Sequence, residues 1–206
     1  SNDLYITKLD SSGNFLWANK VGGSGDDNAG WLSNLAVDSA GNSYVTGQMS
    51  DSLTINGNTL TSAGGRDLFI AKFDSSGAAV WGARAGSTPN DQLHGVVLDS
   101  QGNAFITGYV RGPATFGSIT LTHNGNRDGF IAKINSAGVW QWAVGFGSVN
   151  EDENAYSVTL DREGNPVVVG DFIDPFTIGG TTLTSSGGTD GYVAKWNSSG
   201  TFQWAQ

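Results

Sequence analysis

The sequence predicts an all-β protein assembled from tandem copies of a four-stranded antiparallel unit, and three observations predict it. Residues 67–86, DLFIAKFDSSGAAVWGARAG, have counterparts beginning at Asp3, Asp128 and Asp190, so the copies are offset by 64, 61 and 62 residues. A tryptophan series, Trp17, Trp81, Trp142 and Trp204, keeps the same offsets. Seven four-residue turns of one kind punctuate the 206 residues. A period in this range marks an array whose units bury their faces only against neighbours. Glycine at 31 of 206 residues, about twice ordinary usage, argues against long helices.

Each copy of residues 67–86 alternates apolar and other side chains up to an Asp or Asn and turns through four residues. It resumes with a Trp seven positions after that Asp or Asn, which is the pattern of a β-hairpin. Residues 1–23 hold only this Trp hairpin. A second kind of hairpin runs over residues 35–47 and returns over 97–108 and 159–170. The turns read DSSG at Asp10, DSAG at Asp38, DSSG at Asp74, DSQG at Asp99, NSAG at Asn135, DREG at Asp161 and NSSG at Asn197. Asp or Asn first and Gly fourth is the signature of a type I turn whose Gly takes a positive φ in a bulge, so backbone geometry accounts for these acids.

Between the two hairpins of each unit lies a connection of 18 to 20 residues, with Ile55 and Leu60, Phe116 and Leu121, and Ile178 and Leu183 at matching places. A connection that repeats its apolar residues is expected to be ordered, as a short ribbon covering a strand edge.

Two hairpins in succession make four antiparallel strands, and tandem four-stranded sheets stacked around an axis make a β-propeller. The count assigns residues 1–23 to a half blade and residues 24–86, 87–147 and 148–206 to whole blades of one propeller-type domain. About four to eight blades typically close such a ring. About three and a half are expected to form an open or incomplete one, completed by further blades or by self-association.

The run GGSGDD ending at Asp27, then AVDSAGNSYVTG ending at Gly47, closely resembles the SBBP-type bacterial β-propeller repeat, and GVVLDSQGNAFITG over residues 95–108 matches about as well. The resemblance spans essentially the whole chain. It implies a large secreted or surface protein of bacteria, with no common enzymatic activity and no agreed ligand. The third blade departs from it at Pro166, where VVVG replaces the usual Thr-Gly ending. The Trp hairpin also resembles the tryptophan-docking motif of quinoprotein dehydrogenases, with Ala71, Asp74, Gly77 and Trp81 in its places and a turn one residue shorter. That likeness implies only that the Trp locks adjacent blades.

Nineteen acidic against ten basic residues give a net charge of −9, the wrong sign for a nucleic-acid partner. The absence of cysteine removes disulfides, thiolate catalysis and Cys-based zinc sites. No apolar run approaches the about 18 residues of a membrane span, and no charged-then-apolar leader stands at Ser1, so the chain is expected to be soluble.

Recurrence sorts the candidates for chemistry. Trp17, Trp81, Trp142 and Trp204 could stack on sugars, but four equivalent copies fit burial between blades. Trp31 is unrepeated and stands in a loop particular to one blade, which makes it a ligand candidate, with an edge-covering Trp as the favoured alternative. Lys8, Lys72, Lys133 and Lys195 recur two residues before a turn, as suits an aliphatic stem packed on a blade and a head paired with a nearby Asp. His94, placed ahead of a strand, and His123, in a long connection, form no metal or triad spacing. The Asp-box spacing of sialidase propellers is not met either.

Asp26, Asp27, Asp91, Asp152 and Glu153 lie in the loops leading into the blades. Asp27, Asp91 and Glu153 occupy matching places, preceded by Asp26, Asn90 and Asp152. Equivalent loops share one face of a propeller, which predicts an acidic rim that favours cationic partners or holds calcium. The alternative is that each acid caps its own turn. These observations predict no catalytic residue and no resident cofactor. They point to a non-catalytic extracellular module, structural, adhesive or protein-binding, with a carbohydrate-binding lectin-type propeller as the alternative. An enzyme propeller whose site needs other blades is the remaining reading.

Overall fold

In the computed structural model, residues 2–30, 34–149 and 151–206 are described; none of them is helical, and their strands pair antiparallel throughout. β1 (Leu4–Leu9) and β2 (Phe15–Val21) form a lone hairpin. The next unit comprises β3 (Leu35–Val37), β4 (Ser43–Met49), the ribbon β5 (Ser52–Ile55) and β6 (Asn58–Thr61), then β7 (Asp67–Phe73) and β8 (Ala79–Gly86). The third repeats this plan with β9 (Gln92–Leu98), β10 (Ala104–Val110), the ribbon β11 (Ala114–Phe116) and β12 (Ile119–Leu121), β13 (Asp128–Ile134) and β14 (Trp140–Phe146). The last has β15 (Glu153–Leu160), β16 (Pro166–Ile173), the ribbon β17 (Phe176–Ile178) and β18 (Thr181–Leu183), β19 (Thr189–Trp196) and β20 (Phe202–Ala205).

Within each whole unit the sheet order is first strand, second strand, then the two strands of the Trp hairpin: β3-β4-β7-β8, β9-β10-β13-β14 and β15-β16-β19-β20. The first strands of the second and third whole units begin five to six residues earlier than the hairpin pattern indicates. His94 therefore lies inside β9 and not ahead of a strand. All three connections form two-stranded ribbons. β11 also pairs with β8 of the preceding unit, Thr115 opposite Gly86 and Phe116 opposite Ala85, and so closes that sheet's outer edge.

All seven turns have the expected geometry. The fourth-position glycines, Gly77 among them at φ 92°, all have positive φ, and in each turn the Gly N–H donates to the carbonyl of the first residue. The Asp74 carboxylate also accepts the N–H groups of Ser76 and Ala78. A register shift follows the Lys in all four Trp hairpins, which is the bulge these turns require.

The turns also join the units. Trp17 lies against Gly77, Trp81 against Gly138 and Trp142 against Gly200, each so close that a Cβ on the glycine would collide with the indole. The indole N–H groups donate to the carbonyls of Ser75, Ser136 and Ser198 at 3.3, 3.0 and 3.2 Å. Lys8, Lys72 and Lys133 donate to the same three carbonyls, and Lys133 and Lys195 pair with Asp99 and Asp161 at 3.6 and 2.6 Å. Trp17, Trp81 and Trp142 are half-buried, while Trp204 is exposed. The recurring Trp and Lys are thus a docking device between successive units.

Apolar cores lie between the sheets. One holds Ile6 and Val21 with Phe69, a second Tyr44 and Ile70 with Ile106 and Phe130, and a third Phe105 and Ile131 with Val168 and Trp196. β4 and β10 are buried along their whole length because both faces are covered. β9 packs over β3 and β4, and β15 packs over β9 and β10. This stacking brings the starts of the first strands together, at the end opposite the seven turns.

Candidate functional site

Asp27, Asp91 and Glu153 are 1, 2 and 0% exposed. The Asp27 carboxylate accepts the Gly23 N–H at 2.7 Å. Asp91 accepts the backbone N–H and hydroxyl of Ser87 and the N–H of Arg111. Glu153 accepts the N–H and hydroxyl of Ser148. The backbone N–H groups of the three acids donate to the carbonyls of Asn2, Arg66 and Arg127, so each loop is also tied to the unit before it.

The expected acidic rim is therefore not built from Asp27, Asp91 and Glu153. Burying a carboxylate is costly unless donors surround it; Asp91 and Glu153 face inward onto N–H and O–H groups, and Asp27 onto the Gly23 N–H, with its Oδ1 unpartnered. Asp26 stays exposed and accepts the Asn2 N–H at 2.9 Å. Asn90 does the same for Arg66. Asp152 is half-buried and pairs with Arg127 at 3.5 Å. Trp31 lies outside the described residues. Among the described residues no three acidic or histidine side chains are grouped to hold a metal.

Behind each loop stands a second acid, the first residue of the preceding Trp hairpin. A Cβ at Gly86 would lie 2.5 Å from Asp67 and 2.7 Å from Asp91, which is why the position carries no side chain. Burial pushes Asp91 up to about 6, against its hydrogen bonds and helped by the Asp67 charge. Burial likewise raises Asp27, Asp67 and Glu153. Asp67 Oδ1 is buried with no hydrogen-bond partner. The other Asp67 oxygen is paired with Arg84 at 2.6 Å.

Above these acid pairs opens a cavity of about 670 Å³ spanning three successive units. Gln48, Tyr109 and Asp171 occupy one repeat position, paired across the sheet with Asn28, Gln92 and Asn154. His94 and Tyr156 share another. These are columns in which the repeat puts different chemistry at one backbone place. His94 is 4% exposed, bonds through Nδ1 to the Ala155 carbonyl oxygen at 3.0 Å, and stacks on Tyr156 at 5.2 Å. Burial lowers its pKa, which favours the neutral ring. Tyr156 and Asn154 both donate to Asp171.

Arg66, Arg111 and Arg127, three of the five arginines of an acidic chain, line the same cavity. Arg111 and Arg127 lie over the Tyr109 ring at 5.6 and 4.9 Å. Arg127 is offset by Asp152, whereas among the described residues Arg66 and Arg111 have no carboxylate partner within 4.0 Å. Gln48 and Asn154, 3 and 6% exposed, each line the cavity with an unpartnered atom, Nε2 and Oδ1. Sequence reasoning named the entry loops and Asp91, which lines this cavity, but missed the residues that surround it. The signal was available in the repeat positions that differ, once strand ends are aligned.

No family model matches the chain. Among curated proteins it is similar to the uncharacterized WD repeat-containing protein L264 of Acanthamoeba polyphaga mimivirus, at 28% identity over 186 residues, 80% of this chain and 13% of that protein. It is also similar to the regulatory protein FlaEY of Caulobacter vibrioides, at 29% identity over 217 residues, 95% of this chain and 22% of that protein. The chain thus spans less than a quarter of either relative. A solved structure of a protein of unknown function from Bacteroides caccae covers 100% of this chain and 73% of its own at 12% identity, with a TM-score of 0.44.

Proposed function

We propose that this chain is a stretch of a β-propeller, of the SBBP-type repeat it resembles, that serves as a non-catalytic recognition module at the bacterial cell surface or outside the cell. The repeated four-strand order, the stacking of first strands and the Trp docking of each unit on the next support the propeller reading, and so does the WD-repeat name of one relative. The observation that carries the function is the contrast between columns. The turn acids, docking Trp and buried loop acids repeat from unit to unit, while Gln48, Tyr109 and Asp171, or His94 and Tyr156, differ where the loop-end cavity forms. A repeat that holds its frame constant and varies the residues around one cavity has the design of a binding surface. A protein or a glycan is the partner class, and the cavity favours the lectin-type form of the reading because it is concave and lined by aromatic and amide groups. Glycan and peptide arrays probed with the wild type and with Gln92→Ala test it. Binding that the variant loses supports the reading; binding indifferent to the variant refutes the site.

A further inference from the structure

Resting on that recognition reading, we propose that the loop-end cavity takes a carboxylate-bearing saccharide. Arg66 and Arg111 receive the carboxylate, Gln48 and Asn154 the ring hydroxyls, and Tyr156 a sugar face.

The charge argument comes first. In a chain of net charge −9, three of five arginines converge on one cavity, and two of them have no carboxylate within reach among the described residues. Guanidinium groups left unpaired around a concave site suit a planar anion, which they bind through parallel N–H donors. Asp152 already offsets Arg127. Asp91, though it lines the cavity, faces its own loop's donors. The surplus of about one to two positive charges suits a carboxylate better than a phosphate carrying about two negative charges.

The neutral groups narrow the class further. Gln48 Nε2 is a buried donor and Asn154 Oδ1 a buried acceptor, and each lacks a partner. The Asn154 amide cannot turn to cure this, since its Nδ2 is held by Asp171 at 2.8 Å. Leaving such groups buried and unsatisfied is unfavourable. A ligand that supplies both an acceptor and a donor at these points answers both deficits, and hydroxyls do so because each can act either way. Tyr156 is 36% exposed, with His94 stacked on it and its hydroxyl fixed by Asp171, so it is a rigid aromatic platform at the cavity wall. The volume of about 670 Å³ suits two or three sugar rings.

Titration calorimetry of the whole chain with trigalacturonic acid, its fully methyl-esterified form and a short Glu-rich peptide decides the matter. The acid should bind, more weakly as salt rises, and the ester should bind at least tenfold more weakly. Arg66→Gln and Arg111→Gln, both at exposed positions and so harmless to the melting temperature, should each weaken the acid at least fivefold, with Arg111→Lys restoring part of the loss. Equal binding of acid and ester, or variants without effect, overturns the proposal. The peptide binding in place of the acid overturns the saccharide assignment. If none of the three binds while an array ligand still depends on Gln92, the proposal fails and the recognition reading stands. If nothing on either array binds, both fail.

Discussion

The indole of Trp81 shows how one residue joins two units. Its ring covers Gly138, its N–H reaches the Ser136 carbonyl, and it meets Tyr44 edge-on at 6.0 Å. Because it is half-buried, Trp81→Ala should cost about 2–3 kcal/mol, below the roughly 3–5 of a fully buried Trp. Denaturant unfolding checks this, and an unchanged midpoint would remove the docking role. A second prediction concerns acids of opposite behaviour. Asp91 is held near 6 in the fold against 3.8 as its ordinary value, so the folded state binds the proton more tightly than the unfolded chain. Its contribution to stability is therefore most favourable below about 4 and declines by about 3 kcal/mol as pH rises to about 6 and beyond. The turn acids Asp10, Asp38 and Asp74 are lowered by their hydrogen bonds, so their contribution is present above the ordinary carboxylate range and lost as pH falls through and below about 4. Stability should peak between about pH 4 and 5. Asp91→Asn should make the decline between pH 4 and 6 shallower, and melting curves across that range would show it; an unchanged slope would remove Asp91 from the account.

Among the elements, the ribbons distinguish what the sequence disclosed from what it concealed. Their existence was legible because Ile55, Phe116 and Ile178 recur at one place in an otherwise polar connection. That β11 pairs with the preceding unit was not, since partner choice depends on the edge that neighbours present. Phe116 is fully buried and packs on Phe130 at 5.2 Å and Trp140 at 5.1 Å while its backbone pairs with Ala85. Phe116→Ala should cost about 3–5 kcal/mol and raise hydrogen exchange along β8 as well as along the ribbon. Exchange confined to the ribbon would contradict its role as an edge cover. The loop acids teach the complementary lesson. The matching places of Asp27, Asp91 and Glu153 were readable, but their direction was not, because a loop carboxylate reads the same whether it faces solvent or its own backbone. The useful mark was Gly22, Gly86 and Gly147, five or six residues ahead of each acid, where a Cβ would strike a carboxylate.

At the scale of the whole molecule, the lone hairpin leaves Tyr5, Phe15, Leu16 and Leu9 at 79, 66, 52 and 53% exposure, and the last unit leaves Val169 and Trp204 at 44 and 40%. Apolar surface of this kind at the two ends of a stack, together with the free strand edge, should drive self-association of the isolated 206 residues. Sedimentation at tens of micromolar should show it, and Phe15→Ser with Leu16→Ser should reduce it; a monodisperse monomer would contradict the expectation. The central claim is the proposal about location: binding takes place in the loop-end cavity, where the lining residues differ from unit to unit. The most direct test is the dissociation constant of the strongest array ligand for six single variants. Asn90→Ala, Gln92→Ala and Tyr156→Ala lie at the loop end, and Gln101→Ala, Arg162→Ala and Glu163→Ala at the turn end. The account predicts losses of about fivefold or more, about 1 kcal/mol, at the first three and none at the others. Losses confined to the turn end, or shared equally between the two ends, would contradict it.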